Sequence, residues 1–505
     1  MKADKLIISN RSALEQKYAK GFSSVKKDIQ RIISADKKRG FNSVVCYVDD
    51  SATMKKVKGK AVKKISDAKA VKSAIDALYK GYQPDYLLIF GASDIIPFVR
   101  MKNPIYDPPE GDTDFRVETD LPYCCDSAYS NDPEKFFSPT RVVGRLPDIV
   151  GLAEPRVFTI LVDHLVKHKA GDAKDFKSYF ALSVWKWRVS TGLNLEIIAG
   201  NQKKIFTSPE KGPQFTKKQL KPKLHFINCH GSTNDTVFYG QKGQDFPPAL
   251  TTSSLAGKVT FGTAVAAECC YGNQLFEPDS LEQMPICNRY LTEGALAMVG
   301  SSTTSYGPPQ SLGLSDLITQ YFLVNLLAGA STGRAFLQAQ QKFLQESAPH
   351  IDPYEVKTYT QYYLLGDPSL VLVNNPKIFS PKSKGTVERK MAPAQRKNRR
   401  AMLESKGIEL GRSVSPPHKQ KGRSSSRKLV KVLKPYQMQG RRPLSFQSRK
   451  SFAGPGKSLS GGVRFHVVTK RKALPGGRAG LQSIEAVIVK EIGGQMVDIK
   501  KYEAK

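Results

Sequence analysis

Two stretches decide how this chain is read: Phe226-Ile227-Asn228-Cys229-His230-Gly231-Ser232 and Ala264-Val265-Ala266-Ala267-Glu268-Cys269-Cys270-Tyr271-Gly272. Each passes from consecutive apolar residues directly into polar ones, the pattern of a buried parallel strand that ends in a turn. The carboxyl ends of such strands gather around one crevice, so a His just past one strand and a Cys just past another can face each other. A thiol with a free pKa of about 8.5 is mostly protonated at neutral pH, and a neighbouring imidazole can take its proton as acyl transfer begins. His230 is therefore the candidate base, and the adjacent pair Cys269-Cys270 supplies the candidate nucleophile. Gly231 carries no Cβ and allows close backbone approach, so its N–H and that of the nucleophilic cysteine are candidate oxyanion donors, a contribution of about 2–4 kcal/mol in such sites.

Working outward, short runs of apolar and β-branched residues at 5–9, 43–48 and 86–90 alternate with helical spacing over 12–35 and 65–80. That alternation predicts a parallel sheet with covering helices. A Pro- and Asp-rich stretch at 103–139 leads to a strand at 141–144 and a helix at 154–168. Further strands are expected at 179–184, 224–229, 259–267, 295–300 and 370–373, with a long helical region over 315–346. The fold class is α/β. The expected organisation is an N-terminal α/β subdomain at 1–150, a catalytic subdomain at 151–375, a basic disordered linker at 376–462, and a small β-rich segment at 463–505.

The charge of +33 is unevenly spread: residues 376–505 hold 32 basic and 7 acidic side chains, net +25, leaving +8 for the rest. The body is thus an ordinary mildly basic globule, and its pI says little about its task. Three readings of the tail stay open: a solvated spacer, a contact for nucleic acid or another polyanion, and a substrate-like segment for self-cleavage. The first ten residues lack a signal-peptide core and no window approaches 18 apolar residues, so a soluble protein without membrane contact is expected. Seven cysteines, an odd number with two adjacent pairs, suit a reducing, cytoplasmic setting. No metal-ligand spacing is present, so neither a metal nor another cofactor is expected, and Gly454-Pro455-Gly456-Lys457-Ser458 lacks the strand a phosphate loop needs. His225, Trp185 and Trp187 read as packing residues.

With these motifs in place, the chain resembles the caspase-like cysteine peptidases, and most closely the gingipain branch, peptidase family C25. The resemblance rests on Cys229-His230-Gly231-Ser232, on Cys269 through Gly272, and on further stretches in family order: 86–97, Thr119-Asp120-Leu121-Pro122-Tyr123, Val143-Gly144-Arg145-Leu146-Pro147, 294–302, and Leu365-Gly366-Asp367-Pro368-Ser369. It implies a caspase-like parallel-sheet sandwich over residues 5–373 and a cysteine endopeptidase that acts on protein or peptide substrates through a Cys-His dyad. The gingipain pattern Cys-x-x-Gly selects Cys269 as nucleophile, whereas the caspase pattern Cys-x-Gly selects Cys270, the alternative. By the same resemblance Ser301, Ser302, Thr303 and Tyr306 line the specificity pocket, together with Asp120. Glu268, Asp120 and Asp126 are the candidates for a third, orienting acid. The rival from another class is an inactive, peptidase-like interaction protein whose basic tail binds nucleic acid or an acidic partner.

Overall fold

The structure is a computed structural model that describes residues 2–374, 393–423, 427–436, 438, 441, 443–448, 462–472 and 483–505. Its centre is one ten-stranded sheet. In spatial order the strands are Ser43–Tyr47, Lys5–Ser9, Tyr86–Phe90, Val143–Leu146, Tyr362–Gly366, Ala295–Ser301, Thr263–Ala267, Leu224–Asn228, Tyr179–Val184 and Ile205–Ser208. All neighbours are parallel except the pair Ala295–Ser301 and Tyr362–Gly366. The two α/β runs therefore build two parallel half-sheets joined by one antiparallel seam.

Strands such as Leu224–Asn228 and Thr263–Ala267 are buried at every position, because helices cover both faces of the sheet. The helices start where the sequence supplies caps. Asn10 accepts from the Ala13 N–H at the start of Arg11–Tyr18, and Asp352 forms a capping box with Glu355 at the start of Pro353–Gln361. Gly200, left-handed at φ 70°, closes Arg188–Ala199. Helix Ser315–Leu327 lies against Thr332–Ser347, as the long helical region predicts.

Strand Tyr362–Gly366 is the main departure from the sequence reading, which ended the sheet at 370–373. Val373–Asn374 instead pairs with Gly171–Asp172 in a small separate ladder, while Tyr362–Gly366 turns back to the N-terminal half-sheet. A buried triad fixes this return: the Lys5 ammonium lies 2.7 Å from Asp36 and 2.6 Å from Asp367. Burial lowers the affinity of Lys5 for its proton, but the two carboxylates more than offset that and its pKa is raised.

Within 376–462 the described residues include the helix Pro393–Ser413, the strand Pro417–Arg423, the helix Arg427–Leu433 and the strand Leu444–Ser448. The other residues of that expected linker, including the 454–458 glycine-rich motif, lie outside the described residues. Leu403 packs with Tyr86, Val142 and Leu337, and Leu410 and Val414 join the main core. The expected β-rich segment is a meander of Val463–Lys472, Ser483–Ile492 and Gln495–Ala504, extended on one side by Leu444–Ser448 and Pro417–Arg423. On the other side it pairs with Tyr306–Gly307 of the body.

Candidate functional site

Leu224–Asn228 and Thr263–Ala267 are adjacent parallel strands with Ile227 opposite Ala267, so the His230 and Cys269-Cys270 segments leave the same end of the sheet side by side. The Glu268 N–H donates to the Ile227 carbonyl at 2.8 Å. His230-Gly231 then pairs antiparallel with Phe238 and Tyr239. Across this junction a Cβ on Gly231 would lie 1.8 Å from the carbonyl oxygen of Cys270, so the two motifs touch through their backbones. Tyr271 follows at φ 55°, a left-handed conformation that costs a non-glycine residue of order 1 kcal/mol and turns the chain sharply after Cys270.

The His230 ring is buried, 4.4 Å from the Trp187 ring and 4.9 Å from that of Phe246. Its Nε2 is 3.1 Å from Oε1 of Gln241, whose own Nε2 donates to the Gly243 carbonyl. That orientation of the amide assigns the ring proton to Nε2 and leaves Nδ1 as the nitrogen able to take a proton. Burial pushes the imidazole pKa down to about 4, against the opposing hydrogen bond that the ring donates to Gln241, so the ring is neutral at physiological pH.

The adjacent cysteines, two and three residues beyond strand Thr263–Ala267, face opposite ways. Cys269 turns into the sheet, with its sulfur 3.9 Å from the Ile227 carbonyl, among the residues of the main core. Cys270 turns toward the C-terminal meander and packs with Tyr306, Tyr502 and Ala504. The Ser305 N–H donates to its sulfur at 3.2 Å, and its own N–H donates to the carbonyl of Lys505 at 2.8 Å. Burial pushes the Cys270 thiol up to about 12, and that of Cys269 well above its ordinary value. All seven cysteines are free and buried.

The segment 301–307 frames the other side. The Ser301 hydroxyl donates to the carbonyls of Cys269 and Thr303, and the Thr303 hydroxyl to Gln361. The Ser302 N–H donates to the Gln361 carbonyl, and the Tyr306 hydroxyl to Asp112. A buried cluster holds this segment from behind: Lys357 pairs with Asp112 and Asp114, while Asp114 accepts from the Thr304 N–H and the Tyr271 hydroxyl.

Of the acids singled out in the sequence, only Glu268 lies in this region. Its Oε1 accepts from Asn194 at 3.2 Å and Thr319 at 2.7 Å, beside Asp316 at the start of helix Ser315–Leu327. Asp120 is placed elsewhere, in a buried bidentate pair with Arg145, which also donates to the carbonyls of Gly91 and Ile96. Asp126 pairs with Arg141 near the surface. Trp187, read as packing, does pack, and its partner is His230. Asp316, Gln241, Asn194 and Lys505 were missed. Asp316, Asn194 and Lys505 are remote in sequence from both motifs and only the fold brings them in, while Gln241, eleven residues after His230, returns to it across the short ladder of His230-Gly231 with Phe238 and Tyr239. Among the described residues no cluster of three His, Cys, Asp or Glu side chains could hold a metal, and no helix is long and apolar enough to cross a membrane.

Residues 202–373, which contain both motifs and the 301–307 segment, match the model of peptidase family C25. The chain carries a peptidase family C25 domain. Peptidase family C25, the family of the gingipains, is a family of cysteine peptidases. A chain in the crystal structure of the Saccharomyces cerevisiae separase–securin complex aligns at 12% identity with a TM-score of 0.30, over 45% of this chain and 14% of that one. No curated protein matches the chain significantly.

Proposed function

We propose that the C25 domain of this chain is a working cysteine endopeptidase, with Cys270 as nucleophile and His230 as base. The observation that carries this reading is the 2.8 Å hydrogen bond from the Cys270 N–H to the main-chain oxygen of Lys505. In acyl transfer the N–H of the nucleophilic residue itself is a natural oxyanion donor, because it lies next to the attacking atom. Cys270 has that donor position and faces away from the core, whereas Cys269, favoured by the gingipain spacing, is turned into the sheet.

In the proposed reaction the Cys270 sulfur attacks the scissile carbonyl, and its proton passes to Nδ1 of neutral His230. The C–S bond forms as the carbonyl oxygen takes negative charge opposite the N–H groups of Cys270 and Gly231. Collapse of that intermediate breaks the C–N bond, with the His230 proton going to the leaving amine. Water then attacks the thioester, giving up a proton to His230 and regenerating the thiol. Gln241 positions the ring by accepting from Nε2.

The test is labelling of the full chain by an acylating peptide electrophile, with the modified residue read by mass spectrometry. Adduct on Cys270, retained in Cys269→Ala and lost in Cys270→Ala and His230→Ala, is expected. Adduct on Cys269, or labelling that survives both cysteine substitutions, overturns the assignment.

A further inference from the structure

The strand Gln495–Ala504 pairs antiparallel with Tyr306–Gly307 in the register Tyr306 with Ala504 and Gly307 with Glu503. The Lys505 N–H donates to the Ser305 carbonyl at 2.9 Å, and its carbonyl accepts from the Cys270 N–H at 2.8 Å. An extended peptide added to a sheet edge makes this set of main-chain bonds, and its side chains enter pockets alternately. Glu503 is anchored by Lys186 at 2.5 Å and by the Trp187 indole N–H at 3.5 Å.

The Lys505 side chain enters a closed, acidic chamber. Its ammonium lies 2.9 Å from Glu268 and 2.9 Å from Asp316, all three side chains being inaccessible to solvent. The indole of Trp187 is 5.8 Å from the ammonium. The missing Cβ of Gly307 makes room for the lysine stem, since a Cβ there would lie 2.3 Å from Cε of Lys505. Asn194, which donates to both carboxylates, and Thr319 complete the wall.

We propose that Glu268 and Asp316 form a binding site for a lysyl side chain of an extended peptide, and that residues 503–505 of the chain fill it, closing the substrate cleft from within. This rests on the peptidase reading for its meaning, although the pocket itself does not. Two carboxylates buried side by side cannot both stay ionised unless a cation lies between them. Burial and then Glu268 push the Asp316 carboxyl up, and Lys505 acts against both. Burial lowers the Lys505 pKa, but Asp316 and Glu268 outweigh it and the ammonium stays charged. The chamber therefore selects a cation at the end of a flexible stem. A peptide can enter only when Lys505 leaves.

The test uses full-length Cys270→Ala protein, which cannot cut, and a fluorescein-labelled Tyr-Glu-Ala-Lys-amide peptide read by anisotropy. Adding Lys505→Glu, which sets a third carboxylate against the chamber, is expected to tighten peptide binding by about tenfold or more, because the competing segment is expelled. Replacing the peptide's lysine by norleucine, or introducing Glu268→Gln with Asp316→Asn, is expected to remove that gain. A peptide carrying arginine reports whether the chamber accepts a guanidinium; binding at or below the lysine peptide supports the lysyl assignment, and clearly tighter binding overturns it. Equal binding with and without Lys505→Glu, or equal binding of lysine and norleucine peptides, also overturns the proposal.

Hydrogen exchange on the single Cys270→Ala protein gives a reading that does not depend on the Lys505 variant folding. Saturating lysine peptide should accelerate exchange over 495–505, and unchanged exchange counts against the proposal. With Cys270 intact, peptide binding by the Lys505→Glu chain without hydrolysis would discard the peptidase reading and leave the pocket standing.

Discussion

Gly231 and Cys270 meet so closely that one added carbon on the first would fall 1.8 Å from the carbonyl oxygen of the second. The contact joins the ends of two neighbouring strands and sets the spacing between the base-bearing and thiol-bearing segments. Gly231→Ala must push one of them away. Overpacking of this kind costs about 1–3 kcal/mol, and it also displaces two proposed oxyanion donors. Urea unfolding should show the stability loss, and hydrolysis by an opened chain should fall by about a hundredfold.

The two cysteines should separate cleanly on substitution. Cys269→Ala removes a sulfur from the packed core and is expected to lower stability by about 1–2 kcal/mol while leaving electrophile labelling intact. Cys270→Ala is expected to abolish labelling with less effect on the melting temperature. The reverse pattern would move the reacting thiol to Cys269.

Acid should weaken the fold through its buried imidazoles. Nε2 of His225 lies 3.0 Å from the Pro222 carbonyl and 3.3 Å from that of Leu220, and burial pushes its pKa down to about 4 despite both bonds. The unfolded chain takes up a proton near pH 6.5, while the folded one resists until about 4. The stabilising preference for neutral His225 is thus complete above 6.5 and is lost as pH falls toward 4. Between pH 7 and 4.5 this amounts to about 2–3 kcal/mol. Unfolding of the parent and of His225→Gln at several pH values isolates the effect, which should appear as a shallower acid slope in the variant.

Lys357 holds two buried carboxylates, and Lys357→Met leaves them without their cation. The expected loss is about 3–5 kcal/mol at neutral pH. Burial, opposed by Lys357, raises the Asp112 carboxyl to about 6. A carboxyl raised in this way loses stability as pH rises through its folded pKa, so the variant's deficit should be larger at pH 8 than at pH 5. A deficit independent of pH would place the cost in packing instead.

Much of the body was legible because its strands are short apolar runs separated by helices, and the two motifs that end strands 224–228 and 263–267 stand out against that background. How Cys269 and Cys270 divide between the main core and the C-terminal meander was not legible, since it depends on the path of the turn after Ala267 and on a meander whose last strand lies more than 200 residues further along the chain. Asp120 attracted attention by lying in a family motif, yet its partner is Arg145, a pairing no local pattern reveals. Strand Tyr362–Gly366 was hidden by the helix that runs directly into it. The alternation in 463–502 announced a meander, but that its last strand adds to Tyr306–Gly307 is a contact between residues nearly 200 positions apart.

The antiparallel seam between Ala295–Ser301 and Tyr362–Gly366 also governs how the polypeptide can be divided. Because the strand at 362–366 sits beside Val143–Leu146, and Lys5 is locked to Asp367, a cut near position 150 yields two fragments with raw, hydrogen-bond-hungry borders. Neither piece would be a free-standing module. Recombined, they should knit together again along that border, which makes this a protein whose halves can be split only as complementary partners.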